Sequence, residues 1–407
     1  MAELEARQLR GRRGEHAEAG ARGGRGEGLG HGFAGDGGGA LADHEHPGDG
    51  AVAQPLPGRV AEGVADLRSG SIRRVLVIGQ GTAAVAGQSL AAALQGAIGD
   101  ATVEVRAVLA TELSGFDLRA DMSDTLVVAV SQSGTTTDTN RTVDLVRSRG
   151  GRVIAIVNRR GSDLTDKSDG VLYTSDGRDV EMSVASTKAF YAQIAAGFLL
   201  ALAIADEVGL DPAYPRAEVL AALRELPDKM TSTIQCRPAL ADAAQRFAPS
   251  RRYWAIVGNG VNKIAAHELR IKLSELCYKS IACDSTEDKK HIDLSAEPMI
   301  LVCAAGLSGS TADDVAKEIA IYRAHKATPI VIASEGQERF SAALQVIVVP
   351  TTHPSLAFVL SAMAGHLFGY EAALAHAAQA RPLREARAAI ESTSSAGSPR
   401  AGDDLLA

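Results

Sequence analysis

Residues 125–139 read Thr-Leu-Val-Val-Ala-Val-Ser-Gln-Ser-Gly-Thr-Thr-Thr-Asp-Thr, and this stretch decides the fold. Thr125–Val130 is a β-branched, continuously apolar run, which predicts a strand covered on both faces, as in a parallel sheet. A helical pattern over Asp138–Arg149 follows at once, so the hydroxyl-rich segment lies on a strand-to-helix turn. Unpaired backbone N–H groups and the helix dipole favour an anion there. Capping a helix needs one Ser or Thr, whereas six fall within the nine positions 131–139. Ser131, Ser133 and Thr136 supply neutral donors, and Gly134 lets the backbone close around the oxygens. The turn has no lysine, unlike a P-loop, which disfavours nucleoside triphosphate hydrolysis. It reads as a phosphate-binding loop.

Outward from this loop, Val75–Ile78, Arg152–Val157 and Val171–Tyr173 read as further strands. Helical patterns over Thr82–Ala97 and Thr187–Ala205 alternate with them. The first strand runs into Gly79-Gln80-Gly81-Thr82-Ala83-Ala84, a superficial GxGxxA. A dinucleotide site needs an acidic residue ending the next strand, and Glu104 lies inside or before Val103–Val108. The turn reads instead as a close approach of helix to sheet. Val184-Ala185-Ser186-Thr187-Lys188 is another strand-to-helix turn, either a plain helix cap or a segment bringing Ser186 to the same sheet edge.

The pattern then recurs. Arg251–Gly260 echoes Arg73–Gly81, and Met299–Ala304 with Gly306-Leu307-Ser308-Gly309-Ser310-Thr311 echoes the phosphate-loop stretch. Gly258 follows Gly79 by 179 residues and Gly309 follows Gly134 by 175, so one offset relates both pairs. With Pro329–Ala333 and Val346–Val349 this gives two copies of one α/β unit, an internal duplication. The organisation expected is a disordered low-complexity leader at 1–58, a first domain at 59–210 and a helical linker at 211–248. A second domain at 249–380 and a C-terminal tail at 381–407 complete it. The leader's Gly, Ala, Arg, Glu and His cannot bury enough apolar area to offset ordering; its composition also fits a mis-chosen start codon.

The 407 residues carry a formal charge of −7, which argues against a nucleic-acid partner. Cys236, Cys277, Cys283 and Cys303 form no CxxC pair and read as reduced, mostly buried thiols of a cytoplasmic protein. The sequence implies neither a metal nor a redox cofactor. No signal peptide is read at the N-terminus. Ala195–Ala205, the longest apolar run, is too short to span a bilayer and reads as a core helix.

These motifs carry a resemblance. Ser-Gln-Ser-Gly-Thr-Thr and Val-Ala-Ser-Thr-Lys-Ala-Phe resemble the phosphate and sugar loops in the isomerase half of glucosamine-6-phosphate synthase. That half is built from tandem sugar-isomerase (SIS) domains, each a parallel sheet flanked by helices, and the resemblance covers roughly residues 70 to 390. It implies that Ser131, Gln132, Ser133 and Thr136 hold the phosphate of fructose 6-phosphate. Gly81 and Thr82 of the first glycine turn, with Val184 and Ser186, would complete the sugar site. Glu268-Leu269-Arg270-Ile271-Lys272-Leu273-Ser274-Glu275 is similar to a family helix and puts Glu268, Lys272 and Glu275 on one face. A solvated ion-pair ladder is the plain alternative. The resemblance instead implies that Glu275 shuttles a proton between C1 and C2 beside Lys272, and that His291 opens the sugar ring, often from the neighbouring subunit.

Three departures mark this chain. Ala83 replaces a serine of the first glycine turn, and Ile292-Asp293 replaces the Gly-Pro after the histidine. Arg387 aligns with the lysine that forms a Schiff base with the ketose, and a guanidinium stays protonated and forms no imine. The chain also carries no glutaminase domain, which implies a separate ammonia source or a longer protein. The expected function is binding of a hexose 6-phosphate and its aldose–ketose isomerisation or amination, by a homodimer without membrane attachment. An amino-sugar-phosphate deaminase or isomerase, and a non-catalytic sugar-phosphate sensor, are the alternatives.

Overall fold

Thr125–Ser131 (β3) is buried at all seven positions, because an interior strand of a parallel sheet has helices on both faces. In the computed structural model, which describes residues 66–99, 103–175, 186–209, 213–291 and 294–396, β3 lies at the centre of the first of two sheets. Its companions are β1 (Arg74–Gly79), β2 (Glu104–Leu109), β4 (Arg152–Val157) and β5 (Gly170–Tyr173). They pair in parallel in the order β2-β1-β3-β4-β5. The second sheet comprises β6 (Trp254–Gly258), β7 (Ile281–Asp284), β8 (Met299–Ala304), β9 (Thr328–Ser334) and β10 (Gln345–Val349). It is parallel too, in the order β7-β6-β8-β9-β10, so both lobes share one topology. The edge strand β7 has only four residues and gave no apolar run for sequence reading to find.

The helices are α1 (Thr82–Ile98), α2 (Thr137–Ser148), α3 (Asp163–Lys167), α4 (Lys188–Val208), α5 (Arg216–Ile234) and α6 (Arg237–Phe247). They continue with α7 (Asn262–Cys277), α8 (Thr286–His291), α9 (Gly309–Ala324) and α10 (Ala357–Ala396). One apolar cluster runs through both lobes and takes residues from α1, α4, α7 and α10, with Leu240, Ala243 and Ala244 of α6. Separate clusters back the outer faces, with α2 and α3 on the first sheet and α9 on the second. The layers are therefore outer helices, sheet, shared inner helices, sheet and outer helix.

Within the 211–248 stretch, Arg216–Ile234 and Arg237–Phe247 form α5 and α6, and residues 381–396, expected to open a tail, continue α10. The 1–58 leader lies outside the described residues. The helices Lys188–Val208 and Ala357–Ala377 are each long and apolar enough to cross a membrane, so the apolar run at 195–205 understates the first. They are the inner helices, however, with 61% and 67% of their most apolar windows buried against the rest of the protein. The four cysteines are free thiols, and only Cys303 is fully buried. Burial pushes the Cys277 and Cys283 thiols up to about 11.

Inner helices approach closely where glycine faces leucine. A Cβ on Gly197 would sit 3.1 Å from Leu90 Cβ, and one on Gly365 would overlap the Leu269 side chain. Gly365→Ala should therefore overpack the α7–α10 contact and cost about 1–3 kcal/mol, read as a lower denaturation midpoint at unchanged slope. An unchanged midpoint would mean that α7 and α10 can move apart freely.

Candidate functional site

The site is built on the carboxyl edge of the first sheet, where β1 has β2 on one side and β3 on the other, the usual place for a ligand in such folds. Gly79 ends β1. A Cβ there would lie 2.9 Å from the Ala83 carbonyl carbon and 3.0 Å from the Val130 oxygen, so only glycine lets α1 start this close to β3. Thr82, the first residue of α1, is half-buried.

The loop after β3 is braced from within. Gly134 adopts φ +67°, and a Cβ on it would overlap Ser162. Its N–H donates to Ser131 Oγ at 3.0 Å, and its carbonyl accepts from Asn140 Nδ2 at 3.0 Å and from the Leu164 N–H at 3.1 Å. The Gln132 carbonyl accepts from the Asn158 N–H at 3.2 Å. Ser131 is 3% exposed, so its main service is to shape the loop, while Gln132, Ser133 and Thr136 remain half-buried at its surface. Thr136 is the N-cap of α2, and no side chain caps this helix. The arrangement leaves a rigid helix start suited to an oxyanion.

The second lobe supplies α7. Glu268 is fully buried, with 0% exposure. Its Oε1 accepts from Thr82 Oγ1 at 3.4 Å, which ties α7 to the first glycine turn. His366 Nε2 of α10 lies 3.4 Å from the same oxygen, and Tyr191 OH of α4 lies 2.7 Å from His366 Nδ1. Burial, with the Glu268 charge adding to it, pushes the Tyr191 phenol well above its ordinary value. The phenol therefore keeps its proton and shares one hydrogen bond with His366 Nδ1, while His366 Nε2, although close to Glu268 Oε1, makes no hydrogen bond. Glu268 Oε2 is buried without a hydrogen-bond partner. One and two turns further along α7, Lys272 (2% exposed) donates from Nζ to Glu275 Oε2 at 2.9 Å, and Glu275 is 37% exposed. This is not a solvated ladder, since two of the three charges are interior.

The sequence-derived residues fall into groups. Gly81, Thr82 and the Ser131–Thr136 loop share the first sheet edge, and Thr82 joins them to the α7 face bearing Lys272 and Glu275. Ser186 is half-buried just before α4, with its Oγ unpaired. Val184 lies outside the described residues. His291 ends α8 and is exposed; it lies 3.6 Å from Glu287 of its own helix rather than pairing with the α7 carboxylates. Arg387 belongs to the α10 backbone, and its side chain is outside the described residues. Tyr191 and His366 were not found from sequence. Their signal was faint, a lone histidine in the apolar stretch 357–369 and a tyrosine one turn into an apolar helix. Among the described residues, no group of three or more His, Cys, Asp or Glu could hold a metal ion.

The SIS-domain family matches residues 71–203. Glutamine–fructose-6-phosphate aminotransferase [isomerizing] of Thermus thermophilus is 33% identical over 311 residues, covering 74% of this chain and 49% of the relative. The chain thus spans about half the length of the curated relatives it matches. Among solved structures, the C-terminal domain of glucosamine-fructose-6-phosphate aminotransferase from Francisella tularensis superposes with TM-score 0.67 at 20% identity. It covers 78% of this chain and 92% of that one. Glucosamine-6-phosphate deaminase from Thermotoga maritima gives 0.57 at 16% identity over 78% and 95%. Residues 71–203 are therefore an SIS domain, within a chain homologous along 74% of its length to part of the isomerizing aminotransferase.

Proposed function

We propose that the chain is a sugar-phosphate isomerase-type enzyme that interconverts an aldose and a ketose 6-phosphate, with the phosphate at the Ser131–Thr136 loop. The observation that carries this reading is the Lys272–Glu275 pair. A base for proton transfer between C1 and C2 must be reachable by the sugar and held in one orientation. Glu275 is 37% exposed and is fixed by a lysine that is itself 2% exposed. In the open-chain sugar, Glu275 takes the proton from the carbon beside the carbonyl, the C–H electron pair forms the C=C bond, and the carbonyl π pair moves onto oxygen to give the enediolate. Returning that proton to the neighbouring carbon, with a hydroxyl proton passing between O1 and O2, completes the isomerisation. Lys272 holds the carboxylate in one orientation.

His291, exposed at the end of α8, is suited to complete the site of a second copy in a homodimer. Homology to the isomerizing aminotransferases supports a cytoplasmic protein and an amino-sugar product, with ammonia from a separate source or glutaminase. Arg387 favours a second reading, a deaminase or isomerase of amino-sugar phosphates that works without an imine at this residue. A non-catalytic sensor would need the loop alone, and the α7 acid–base pair counts against it.

Hexose 6-phosphate in deuterated water tests the proposal. The wild type should exchange hydrogen at C1 and C2. Glu275→Gln should lower exchange by about 10²–10⁴-fold with little change in Kd. Ser133→Ala and Thr136→Ala should each weaken binding by roughly 10- to 100-fold, as expected for a lost charge-assisted bond. Binding without exchange in the wild type would establish the sensor instead.

The Glu268 cluster gives a stability prediction. His366→Leu breaks the hydrogen bond to the buried Tyr191 phenol and should cost about 1–3 kcal/mol, measured by chemical denaturation. Combining it with Glu268→Gln should give a non-additive cost, since the two side chains lie 3.4 Å apart, whereas additive costs would mean that the two groups do not interact.

A further inference from the structure

The second lobe has its own carboxyl-edge cavity, of about 330 Å³. Its walls include the turn Asn259–Asn262 between β6 and α7 and residues 305–307 with Thr311 between β8 and α9. Residues 354, 355 and 358 at the start of α10 close that side. The first two are the counterparts of the turns after β1 and β3 in the first lobe. The remaining wall comes mainly from α1 and α4 of the first lobe, with Tyr214 and Val219 around the start of α5, just as α7 of the second lobe faces the first site. At the 179-residue offset, Glu268, Lys272 and Glu275 correspond to Ser89, Ala93 and Gly96, and all three of those line the cavity. The acid–base face has been replaced by small uncharged residues.

No Asp, Glu, Lys or Arg lines this cavity. Its amide side chains are already committed. Asn259 bonds the Thr286 hydroxyl at 2.7 Å and the Thr286 N–H at 3.1 Å, and Asn262 bonds the Ala305 carbonyl and Ser361 at 2.8 Å each. The Ser89 hydroxyl donates to the Ala86 carbonyl at 2.7 Å. What faces the space is largely apolar, including Ala92, Ala97, Phe198, Leu202, Val219 and Phe358. Against that apolar wall a charged group would lose its hydration, whereas apolar cavities of this kind take ring compounds.

We infer that this cavity is an accessory, non-catalytic site for an uncharged, ring-bearing small molecule, held between α1 and α4 of one lobe and the three turns of the other. The site is independent of the isomerase reading, so failure of either leaves the other standing. Indole serves as the probe. Titration of the full chain, followed calorimetrically, should show one saturable site, weakened at least tenfold by Ala93→Leu and unaffected by Ser133→Ala. Indole-3-acetate, which adds a carboxylate, should bind at least tenfold more weakly than indole. Absence of saturable binding, equal affinity in Ala93→Leu, or binding of the acid as tight as that of indole would overturn the inference. Should Ala93→Leu fail to fold, crystals of the wild type soaked in indole decide it. Density between Ala93 and Phe358 is expected, and density only at the first-lobe loop would overturn it.

Discussion

A carboxylate taken out of water must be met by donors or it destabilises the fold, and Glu268 imposes that condition where the two lobes meet. Thr82 of α1 donates to it, His366 of α10 packs 3.4 Å from the same oxygen without a hydrogen bond, and Tyr191 of α4 holds the imidazole in place. All four inner helices are thereby fixed to one another by polar contacts within an otherwise apolar layer. The register of α7 follows from this. Because Lys272 and Glu275 lie one and two turns beyond Glu268, fixing Glu268 against the first glycine turn fixes the face that carries them. A second polar contact between the lobes, His267 Nδ1 to Gln88 Oε1 at 2.8 Å, holds the same pair of helices. Burial, aided by Lys263 and Arg270, lowers the pKa of His267, so the bond joins neutral groups.

The two lobes divide their work through side chains rather than topology. Both sheets have one strand order, and each offers turns at its carboxyl edge to an inner helix of the other lobe. On one side that helix brings Glu268, Lys272 and Glu275; on the other it brings Ser89, Ala93 and Gly96. The first edge thus faces carboxylates and an amine, and the second faces small uncharged side chains. The loops are alike in their glycines. Gly134, two residues before the N-cap of α2, is locked by Ser131, Asn140 and Leu164, and Gly306, two residues before the N-cap of α9, has φ +74°, donates to Ser334 Oγ and would overlap Ala357 if it carried a Cβ.

Much of this was legible in the chain because parallel sheets write themselves plainly. A strand covered on both faces must be apolar at every position, and β3, β4, β8 and β9 announce themselves as unbroken runs. The 179-residue echo exposed the second α/β unit for the same reason. Strand β7 escaped because an edge strand of four residues needs no such run. The extent of α10 escaped because Pro382 and the polar residues after it resemble a helix end.

The candidate site divides along the same line. Local chemistry determined the hydroxyl-rich loop, since hydroxyls and glycine at a strand-to-helix turn act within a few residues of one another. Helical periodicity likewise put Lys272 and Glu275 on one face. Which charges are interior, and that Tyr191 and His366 converge on Glu268 across 175 residues of chain, were decided only in three dimensions. So was the placement of Ser89, Ala93 and Gly96 in the wall of the second-edge cavity. Burial and long-range pairing depend on how two sheets clasp four shared helices, and no local pattern carries that information, because the energy of a buried charge is set by neighbours that the sequence places far away.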